Sequence, residues 1–383
     1  MPQPMTKPKP QPFSPHATAH RPLQVVALGG DGIGPEVTAQ ALRVLRHMQG
    51  KHGLPMDIEE QPYGNATWRE AGSLMPAATH AAVERADAVL FGAVDSLDRA
   101  GMPAEERARG SLLTLRRRLG LFANLRPVRT ERALDEVSPF KPRTLAGVDL
   151  VFVRELSGGV YYGEPRGIER DADGRRRGIN THIYDEDQII RAARFAFALA
   201  RGRRGVLTSV DKANVMEAGA LWRQVVTALH HDEFRDVKLD HMLADTCGLM
   251  LNRDPKRFDV ILTDNLFGDV LSDAAAGLAG SLGMLPSASL SAPQPDGRRR
   301  ALYEPVHGSA PDIAGKGVAN PLAAILSVAL LLRWSAGAED AAREVEAAVT
   351  AALAAGARCA DIALPGEAVL GTAGMGDAVM ERL

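Results

Sequence analysis

Two aspartates four residues apart, Asp269 and Asp273, are the residues whose spacing most directly suggests chemistry. Their segment, NLFGDVLSDAAAG, carries apolar residues at helical spacing, and Gly268 suits the turn that enters the helix. Positions i and i+4 lie on one face of a helix, so both carboxylates would point at the same place. Converging carboxylates in a partly buried site favour a hard divalent cation, Mg²⁺ or Mn²⁺. Taken alone, the pair is equally compatible with a solvated face, where the repulsion costs only about 0.2–0.5 kcal/mol.

An alternation of strands and helices must position these aspartates. Short runs rich in β-branched residues predict strands at 23–28, 88–91, 148–153, 205–210 and 258–263. Amphipathic stretches between them predict helices at 36–49, 185–201 and 214–229. This order predicts an α/β fold with a mainly parallel sheet. Residues 155–182 are glycine-rich and then charged, which interrupts the alternation and predicts an extended β-arm used for subunit contact.

The composition excludes several classes of protein. A net charge of −2 over 383 residues gives no reason to expect nucleic acid or an anionic membrane as a partner. Two distant cysteines predict a reduced, cytoplasmic protein, with Cys247 as a small buried thiol. The proline-rich residues 1–22 predict a disordered extension. The apolar run 321–332 is too short to cross a bilayer and predicts a buried helix.

A glycine-rich loop, GGDGIGPEV, follows the first predicted strand and opens a helix. A dinucleotide fingerprint requires G-x-G-x-x-G, but the position of the third glycine is taken by Pro35. We therefore expect a tight turn here and no standard Rossmann site.

Long ordered blocks give the chain a family resemblance. Among them are LLTLRRRLGLFANLRPVR, VRELSGGVYYGEPRG, TSVDKANVMEAG, the aspartate segment above and YEPVHGSAPDIAGKGVANP. From residue 23 to 383 the chain resembles the NAD(P)-dependent β-decarboxylating dehydrogenases of the isocitrate/isopropylmalate dehydrogenase family. The resemblance implies a two-domain α/β fold outside the standard Rossmann type. Residues 23–121 with 281–383 would form the first domain, and residues 122–280 the second, which carries the dimer contact.

The resemblance implies a homodimer with shared active sites. Asp269 and Asp273 of one subunit, with Asp245 of its partner, would hold Mg²⁺ or Mn²⁺ against the substrate. Lys212 would be the base for the substrate hydroxyl, and Tyr161 the acid that protonates the enolate. Lys212 and Tyr161 both stand inside matching blocks, and Asp245 stands in HMLADTCG.

The substrate of such an enzyme is a 2-hydroxy diacid. Its two carboxylates call for the planar, permanently charged guanidinium of arginine. The resemblance assigns this role to Arg116, Arg126 and Arg154, and we expect the latter two in loops beside strands. Leu112 and Leu113 would bury a branched substituent, which contributes about 1.5–3 kcal/mol.

The implied coenzyme is NAD. His307 would lie near the adenine, and Gly308, Ser309 and Ala310 would bring backbone amides to the phosphates or ribose. Asp312 can accept hydrogen bonds from ribose hydroxyls, whereas it would repel the 2′-phosphate of NADP. Asn320 belongs to the same block and is expected at the coenzyme.

The expected reaction is oxidative decarboxylation of (2R,3S)-3-isopropylmalate to 4-methyl-2-oxopentanoate in leucine biosynthesis. One position departs from that expectation: Arg109 stands where isopropylmalate enzymes typically carry a glutamate. Arg109 would either meet an additional substrate carboxylate or pair with Glu105 or Glu106. The alternatives are a sibling enzyme for D-malate, tartrate or homoisocitrate and a non-catalytic regulatory subunit.

Overall fold

A computed structural model describes residues 21–95 and 101–383. Most of the predicted disordered extension, residues 1–20, therefore lies outside the described residues. The strands in chain order are β1 (Leu23–Gly30), β2 (Met56–Glu60), β3 (Ala88–Ala93), β4 (Leu121–Arg129), β5 (Asp149–Glu155), β6 (Gly167–Arg170), β7 (Arg176–Ile179), β8 (Val206–Asp211), β9 (Lys238–Leu243), β10 (Val260–Thr263), β11 (Pro286–Pro293) and β12 (Arg299–Pro305).

The helices of the described residues alternate with these strands along the chain. They are α1 (Gly34–His52), α2 (Asn65–Ala71), α3 (Ala77–Arg85), α4 (Ala104–Arg109), α5 (Leu112–Arg118), α6 (Pro142–Leu145), α7 (Glu186–Arg201), α8 (Glu217–Glu233), α9 (Ala244–Arg253), α10 (Asn265–Ala274), α11 (Ala276–Ala279), α12 (Leu322–Trp334), α13 (Glu339–Ala354) and α14 (Thr372–Met380). All five predicted strands and all three amphipathic helices are present within a few residues of their expected bounds.

One ten-stranded sheet runs through the molecule in the order β2-β1-β3-β12-β11-β4-β5-β10-β8-β9. Six of its nine pairings are parallel, and the antiparallel ones lie together where β12, β11, β4 and β5 meet. This confirms the predicted α/β architecture with a mainly parallel sheet. The division into two domains stays a prediction, since the sheet continues across the expected boundary.

The core follows from the apolar sequence of the strands and of α12. Residues 321–332 do form a buried helix: most side chains of α12 are withdrawn from solvent. Cys247 is buried as predicted, and burial raises the pKa of its thiol to about 12. Among the described residues, none of the helices combines the length and apolar character that a membrane crossing requires.

Residues 155–182 contain the predicted arm. β6 and β7 pair only with each other, as an antiparallel ribbon from Gly167 to Ile179, and nearly all of its residues are exposed. A two-stranded ribbon is marginal on its own in water. Its use in subunit contact remains a prediction.

A buried carboxylate ties the start of the chain's described part to the β11–β12 connection. Asp87 accepts hydrogen bonds from both terminal nitrogens of Arg21 at 2.8 Å, from Arg298 at 2.7 Å and from the amide of Gln24 at 2.9 Å. The side chains of Asp87 and Arg298 are both nearly inaccessible to solvent. These hydrogen bonds hold β1 and the β11–β12 connection against the start of β3.

The glycine-rich loop packs against another piece of backbone. The amide of Ile33 donates to the carbonyl of Ser309 at 2.8 Å. Gly32 has a φ of +59°, and a Cβ there would stand 2.8 Å from the carbonyl carbon of Ser309. This position therefore needs glycine for its conformation and for the close approach of the two loops.

Candidate active site

Helix α10 presents Asp269 and Asp273 on one face, as the spacing predicted. The Asp264 side chain caps the helix by accepting from the amide of Phe267 at 2.7 Å. The helix follows β10, whose last residue Thr263 is paired directly with Arg154 on β5. Sheet register therefore brings the first turns of α10 beside two neighbouring strands that carry arginines.

Arg126 lies between the two carboxylates. Its Nη1 donates to Asp273 Oδ1 at 2.7 Å and its Nη2 to Asp269 Oδ1 at 3.1 Å. Its Nε donates to Asn124 Oδ1 at 2.9 Å, and Nη1 also reaches Ser272 Oγ at 2.8 Å. Two of its four partners, Asn124 and Ser272, are themselves buried and so fix the position of the guanidinium.

Arg154 approaches the same carboxylate from the next strand. Its Nη1 donates to Asp269 Oδ1 at 2.5 Å, while Nε is held by the backbone and side-chain oxygens of Asn265 at 2.8 and 3.0 Å. A Cβ on Gly268 would stand 2.6 Å from Cγ and 2.8 Å from Cβ of Arg154. Gly268 lies inside α10, so its role is close packing on Arg154, and its assignment to the entering turn was wrong.

The expectation that Arg126 and Arg154 lie in loops was also wrong. Arg126 is inside β4 and Arg154 is inside β5. The apolar run ends at Val153, but pairing with β4 continues one residue past Arg154, because cross-strand hydrogen bonds do not require apolar side chains. Strands hold these guanidiniums more rigidly than loops would.

Tyr161 completes this cluster. Its hydroxyl donates to Asp269 Oδ2, and the Arg154 guanidinium carbon lies 5.1 Å from the centre of its ring. The loop before it is fixed by the buried Glu155 carboxylate, which accepts from the amides of Ser157 and Gly158 at 2.8 and 2.9 Å. Burial, and then the bond to Asp269, raise the pKa of Tyr161. The phenol is therefore protonated and available as a donor at neutral pH.

The electrostatics of the two aspartates differ. Burial would raise the pKa of Asp269, but the charges of Arg154 and Arg126 outweigh it, so this pKa lies below its usual value. The pKa of Asp273 is raised by burial and by the charge of Asp269, which Arg126 offsets only in part. Burial, and then the Arg126 charge, lower the pKa of Arg154 to about 10. A second cation beside these carboxylates would favour the ionised form of Asp273.

The third predicted arginine lies on α5, which Ser111 caps by accepting from the amide of Thr114 at 3.1 Å. Arg116 Nη2 donates to Glu304 Oε1 at 2.6 Å, and both side chains are largely buried. Leu112 and Leu113 are half-buried on the first turn of this helix. Their packing leaves them partly accessible, as a substrate-contacting surface requires.

Lys212 and Asp245 form a second cluster. Lys212 follows β8, Asp245 begins α9, and the lysine ammonium donates to the Asp245 carboxylate. That hydrogen bond is the main cause that lowers the pKa of Asp245. Within the residues that the structure describes, no group of three potential metal ligands is present in one chain. The structure brings Asp269 and Asp273 together and does not add Asp245 of the same chain to them.

The predicted coenzyme residues lie on the loop after β12. His307 Nδ1 is 2.9 Å from the carbonyl of Gly308, and burial lowers the pKa of its ring. Ala310 has a φ of +39°, a strained value for a residue with a side chain. Asp312 is exposed and therefore accessible to a ligand. Strain at an exposed turn is typical of a site that holds a ligand.

Ser309 and Asn320 are less accessible than the rest of this set. The buried Ser309 gives its carbonyl to Ile33, and the buried Asn320 accepts from the amide of Leu322 at 3.0 Å and donates to Asp361 at 3.1 Å. These contacts give both residues a structural role at the base of the loop.

Arg109 pairs with Glu106, one of the partners expected for it. The Glu106 carboxylate is buried and also accepts from Ser73 Oγ and the amide of Leu74, each at 2.8 Å. About half of the Arg109 side chain remains exposed. The guanidinium therefore extends from an anchored carboxylate toward solvent.

Sequence reasoning missed three residues of this site: Glu304, Asn124 and Ser272. Each is a buried polar residue, and the first two interrupt apolar strand sequences, LYEPV and FANL. A polar side chain within a buried strand needs a partner. That signal was present in the sequence, but it does not name the partner.

Comparisons with known proteins agree with this geometry. The model of the isocitrate/isopropylmalate dehydrogenase family matches residues 24–379. The 3-isopropylmalate dehydrogenase 1 of Bradyrhizobium diazoefficiens is 51% identical over 366 residues, which cover 96% of this chain and 97% of that protein. The 3-isopropylmalate dehydrogenase of Symbiobacterium thermophilum is 52% identical over 361 residues, 94% of this chain and 98% of that protein.

Solved structures give the same result. The isocitrate dehydrogenase of Methylococcus capsulatus superposes with a TM-score of 0.80 at 32% identity, covering 94% of this chain and 99% of that one. A β-decarboxylating dehydrogenase of Thermococcus kodakarensis gives a TM-score of 0.72 at 34% identity, with 94% and 96% covered. The extent of these matches confirms the predicted fold, and the chain belongs to the isocitrate/isopropylmalate dehydrogenase family.

Proposed function

We propose that this protein is an NAD-dependent dehydrogenase that oxidatively decarboxylates (2R,3S)-3-isopropylmalate in leucine biosynthesis. The observation that carries the proposal is the convergence of Arg126, Arg154 and Tyr161 on the α10 aspartates. The names of relatives about 50% identical over nearly the whole chain support the substrate.

The arginines bind and orient the diacid. Arg126 and Arg154 project from adjacent strands, and Arg116 projects from α5 with Leu112 and Leu113 on the preceding turn. Guanidiniums can bond carboxylates in pairs, and the leucines can cover an isopropyl group. NAD⁺, when bound, would accept the hydride from C2, and the resulting β-keto acid would lose CO₂ to give 4-methyl-2-oxopentanoate.

The donor set fits a hard divalent cation, since the carboxylate oxygens of Asp269 and Asp273 converge on one face of α10. Asp269 and Asp273 would hold Mg²⁺ or Mn²⁺ together with Asp245 of a second subunit. When bound, the cation acidifies the substrate hydroxyl and stabilises the charge that decarboxylation leaves. Asp245 is well exposed, at 64% of its side chain, and so is free to serve another chain's site.

Proton transfer is assigned to two residues. Lys212, which lies beside Asp245, would as its neutral amine accept the proton of the C2 hydroxyl in the partner's site and so become the ammonium. Tyr161 would donate to the carbon that has lost CO₂, because its raised pKa keeps the phenol protonated. The bond to Asp269 orients the phenol.

A homodimer is part of the proposal. Large apolar side chains are exposed next to the two site halves, with Val215 at 72%, Leu249 at 50% and Val270 at 60% accessible. They lie just before α8, on α9 and on α10. Burying them against a second copy would bring Lys212 and Asp245 of one chain to Asp269 of the other.

The loop with His307 and Asp312 is assigned to the coenzyme. The exposed carboxylate of Asp312 favours the ribose diol of NAD over the phosphate of NADP. Replacing Asp312 with Ala should therefore lower the ratio of kcat/KM with NAD⁺ to kcat/KM with NADP⁺.

The test is a substrate panel with the purified full chain. NADH formation is measured with isopropylmalate, D-malate, tartrate and homoisocitrate, with NAD⁺ or NADP⁺, with and without Mn²⁺. We expect isopropylmalate and NAD⁺ to give the highest kcat/KM, and activity to require the metal. A preference for D-malate would refute the substrate assignment, and no turnover of any diacid would favour a regulatory subunit.

Substitution of Arg109 tests the alternative that the preferred substrate is D-malate, tartrate or homoisocitrate. Because it pairs with Glu106, we expect Arg109→Glu to leave the order of substrates unchanged. A change of preferred substrate would show that the exposed guanidinium meets a substrate carboxylate. Arg107→Glu, an exposed change on the same helix, is the matched control.

A further inference from the structure

One guanidinium already lies between the two carboxylates assigned to the metal. Arg126 is within hydrogen-bond distance of both Asp269 and Asp273, at 3.1 and 2.7 Å. Arg154, by contrast, reaches only Asp269 and is held at Nε by Asn265. Arg126 is thus the arginine that bridges both proposed metal ligands.

On its Nε side, Arg126 is held by a chain of hydrogen bonds through two buried residues, Asn124 and Ser289. Asn124 accepts from Nε through its amide oxygen and donates its amide nitrogen to Ser289 Oγ at 3.0 Å. In the register of the sheet, Asn124 stands directly opposite Ser289 on β11 and Arg154 on β5. All three neighbours are nearly or fully buried. Their bonds fix the direction from which the guanidinium approaches α10.

We propose that Arg126 is an internal counter-ion, positioned by Asn124, that occupies the metal ligands Asp269 and Asp273 in the metal-free enzyme. The inference rests on the proposed function and deepens its metal site. A cation that binds Asp269 Oδ1 and Asp273 Oδ1, the two oxygens that Arg126 contacts, would displace the guanidinium from both. A substrate carboxylate gives Arg126 a replacement partner.

Metal and substrate are therefore coupled through one side chain. Substrate should tighten metal binding by removing the competing guanidinium, and metal should tighten substrate binding by the same factor. Without Arg126 the two carboxylates would repel each other across one helical turn. The counter-ion thus keeps the site assembled until both ligands arrive.

The experiment measures Mn²⁺ binding to the metal-free full-length enzyme, by the electron paramagnetic resonance signal of free Mn²⁺. Wild type, Arg126→Gln and Arg116→Gln are titrated without substrate and then with isopropylmalate. Arg116 is the matched control, because its partner is Glu304 and not either aspartate. The substrate-free titration is decisive, since both variants are expected to bind substrate weakly.

We expect Arg126→Gln to bind Mn²⁺ alone at least about tenfold tighter than wild type, because two competing charge-assisted bonds are lost and one alone corresponds to about that factor. Arg116→Gln should change Mn²⁺ affinity much less than Arg126→Gln, because Arg116 acts on Asp269 through its charge alone and bonds to neither aspartate. In thermal melts, Arg126→Gln should melt lower than wild type without metal and gain more on Mn²⁺ addition. A purely structural role would lower the melting temperature but leave the gain unchanged, and would overturn the inference.

Two further variants keep the test decisive. Arg126→Lys retains the charge but cannot bridge two carboxylates with a fork, so its Mn²⁺ affinity should lie between those of wild type and Arg126→Gln. Asn124→Ala should raise KM for isopropylmalate more than it lowers kcat, because the arginine stays but loses its anchor. Unchanged or weaker Mn²⁺ binding in Arg126→Gln would overturn the counter-ion inference but not the proposed metal site. Failure of the wild type to bind Mn²⁺ overturns the proposed metal site as well.

Discussion

The substitution Gly268→Ala tests whether a helix glycine positions Arg154, which we propose binds the substrate. The new Cβ would stand 2.6 Å from Cγ of Arg154, and Arg154 cannot retreat easily because Asn265 holds its Nε. Overpacking of this kind costs about 1–3 kcal/mol. Alanine returns about 1 kcal/mol of helix propensity. The net loss of stability is therefore about 0–2 kcal/mol.

The effect on catalysis should be larger than the effect on stability. If Arg154 shifts, its bond toward the substrate loses about 1.5–3 kcal/mol, the value of a hydrogen bond to a charged group. This corresponds to a fall in kcat/KM of about 10- to 150-fold. Steady-state NADH formation with isopropylmalate measures it, alongside a thermal melt of the same sample.

Gly50→Ala is the matched control. Gly50 is an exposed glycine near the end of α1, and a Cβ there meets no atom within 4 Å. That variant should gain about 1 kcal/mol in stability with kcat/KM unchanged. If Gly268→Ala behaved like Gly50→Ala in both measurements, the packing argument for Arg154 would be refuted.

Three further predictions follow from the same contacts. Tyr161→Phe should lower kcat about 10²- to 10⁴-fold in steady-state assays, because the protonated phenol is the proposed acid; a loss below about threefold would contradict that role. The pKa of Asp273 is raised in the folded protein, so ionising this carboxyl is harder in the folded than in the unfolded chain. The free energy of unfolding therefore falls as pH rises from the ordinary carboxyl pKa through the folded pKa. Asp273→Asn should therefore raise the melting temperature of metal-free protein at about pH 7, with the gain vanishing below the ordinary carboxyl pKa of 3.8; a gain independent of pH would refute it. Asp87→Ala should cost about 3–5 kcal/mol in denaturant unfolding, because it leaves the buried Arg298 charge uncompensated; Asp57→Ala, an exposed change on β2, should be near neutral.

The strands that sequence predicted well are the apolar ones. β1, β3, β5, β8 and β10 are runs of β-branched residues that the sheet buries on both faces, and a short run of this composition is typical of a central strand in a parallel sheet. The edge strands β2 (MDIEE) and β9 (KLDHML) were missed, because an edge strand carries charges that hide its periodicity.

The site was predictable where local spacing decides and unpredictable where the fold decides. Asp269 and Asp273 share a face because four residues make about one helical turn. That Gly268 packs on Arg154 depends on two segments more than a hundred residues apart in sequence. The carboxylate partners of Arg116 and Arg126 likewise come from segments more than a hundred residues away in sequence, which no local pattern encodes. The family resemblance supplied the roles of these arginines, and the structure supplied their neighbours.

The contact between Gly32 and Ser309 sets limits on engineering the coenzyme preference of this enzyme. The Ile33 amide donates to the Ser309 carbonyl, and the space at Gly32 is too small for a side chain. A replacement segment that moved residue 309 would therefore also disturb the start of α1. At the far end of the loop, the amide of Thr372 donates to the carbonyl of Gly317 at 2.8 Å, so residue 317 is fixed as well. Between these two points, a Cβ on Gly315 would meet no atom within 4 Å. If this loop holds the coenzyme as proposed, grafts intended to admit a phosphorylated ribose should begin at Asp312 and end before Gly317.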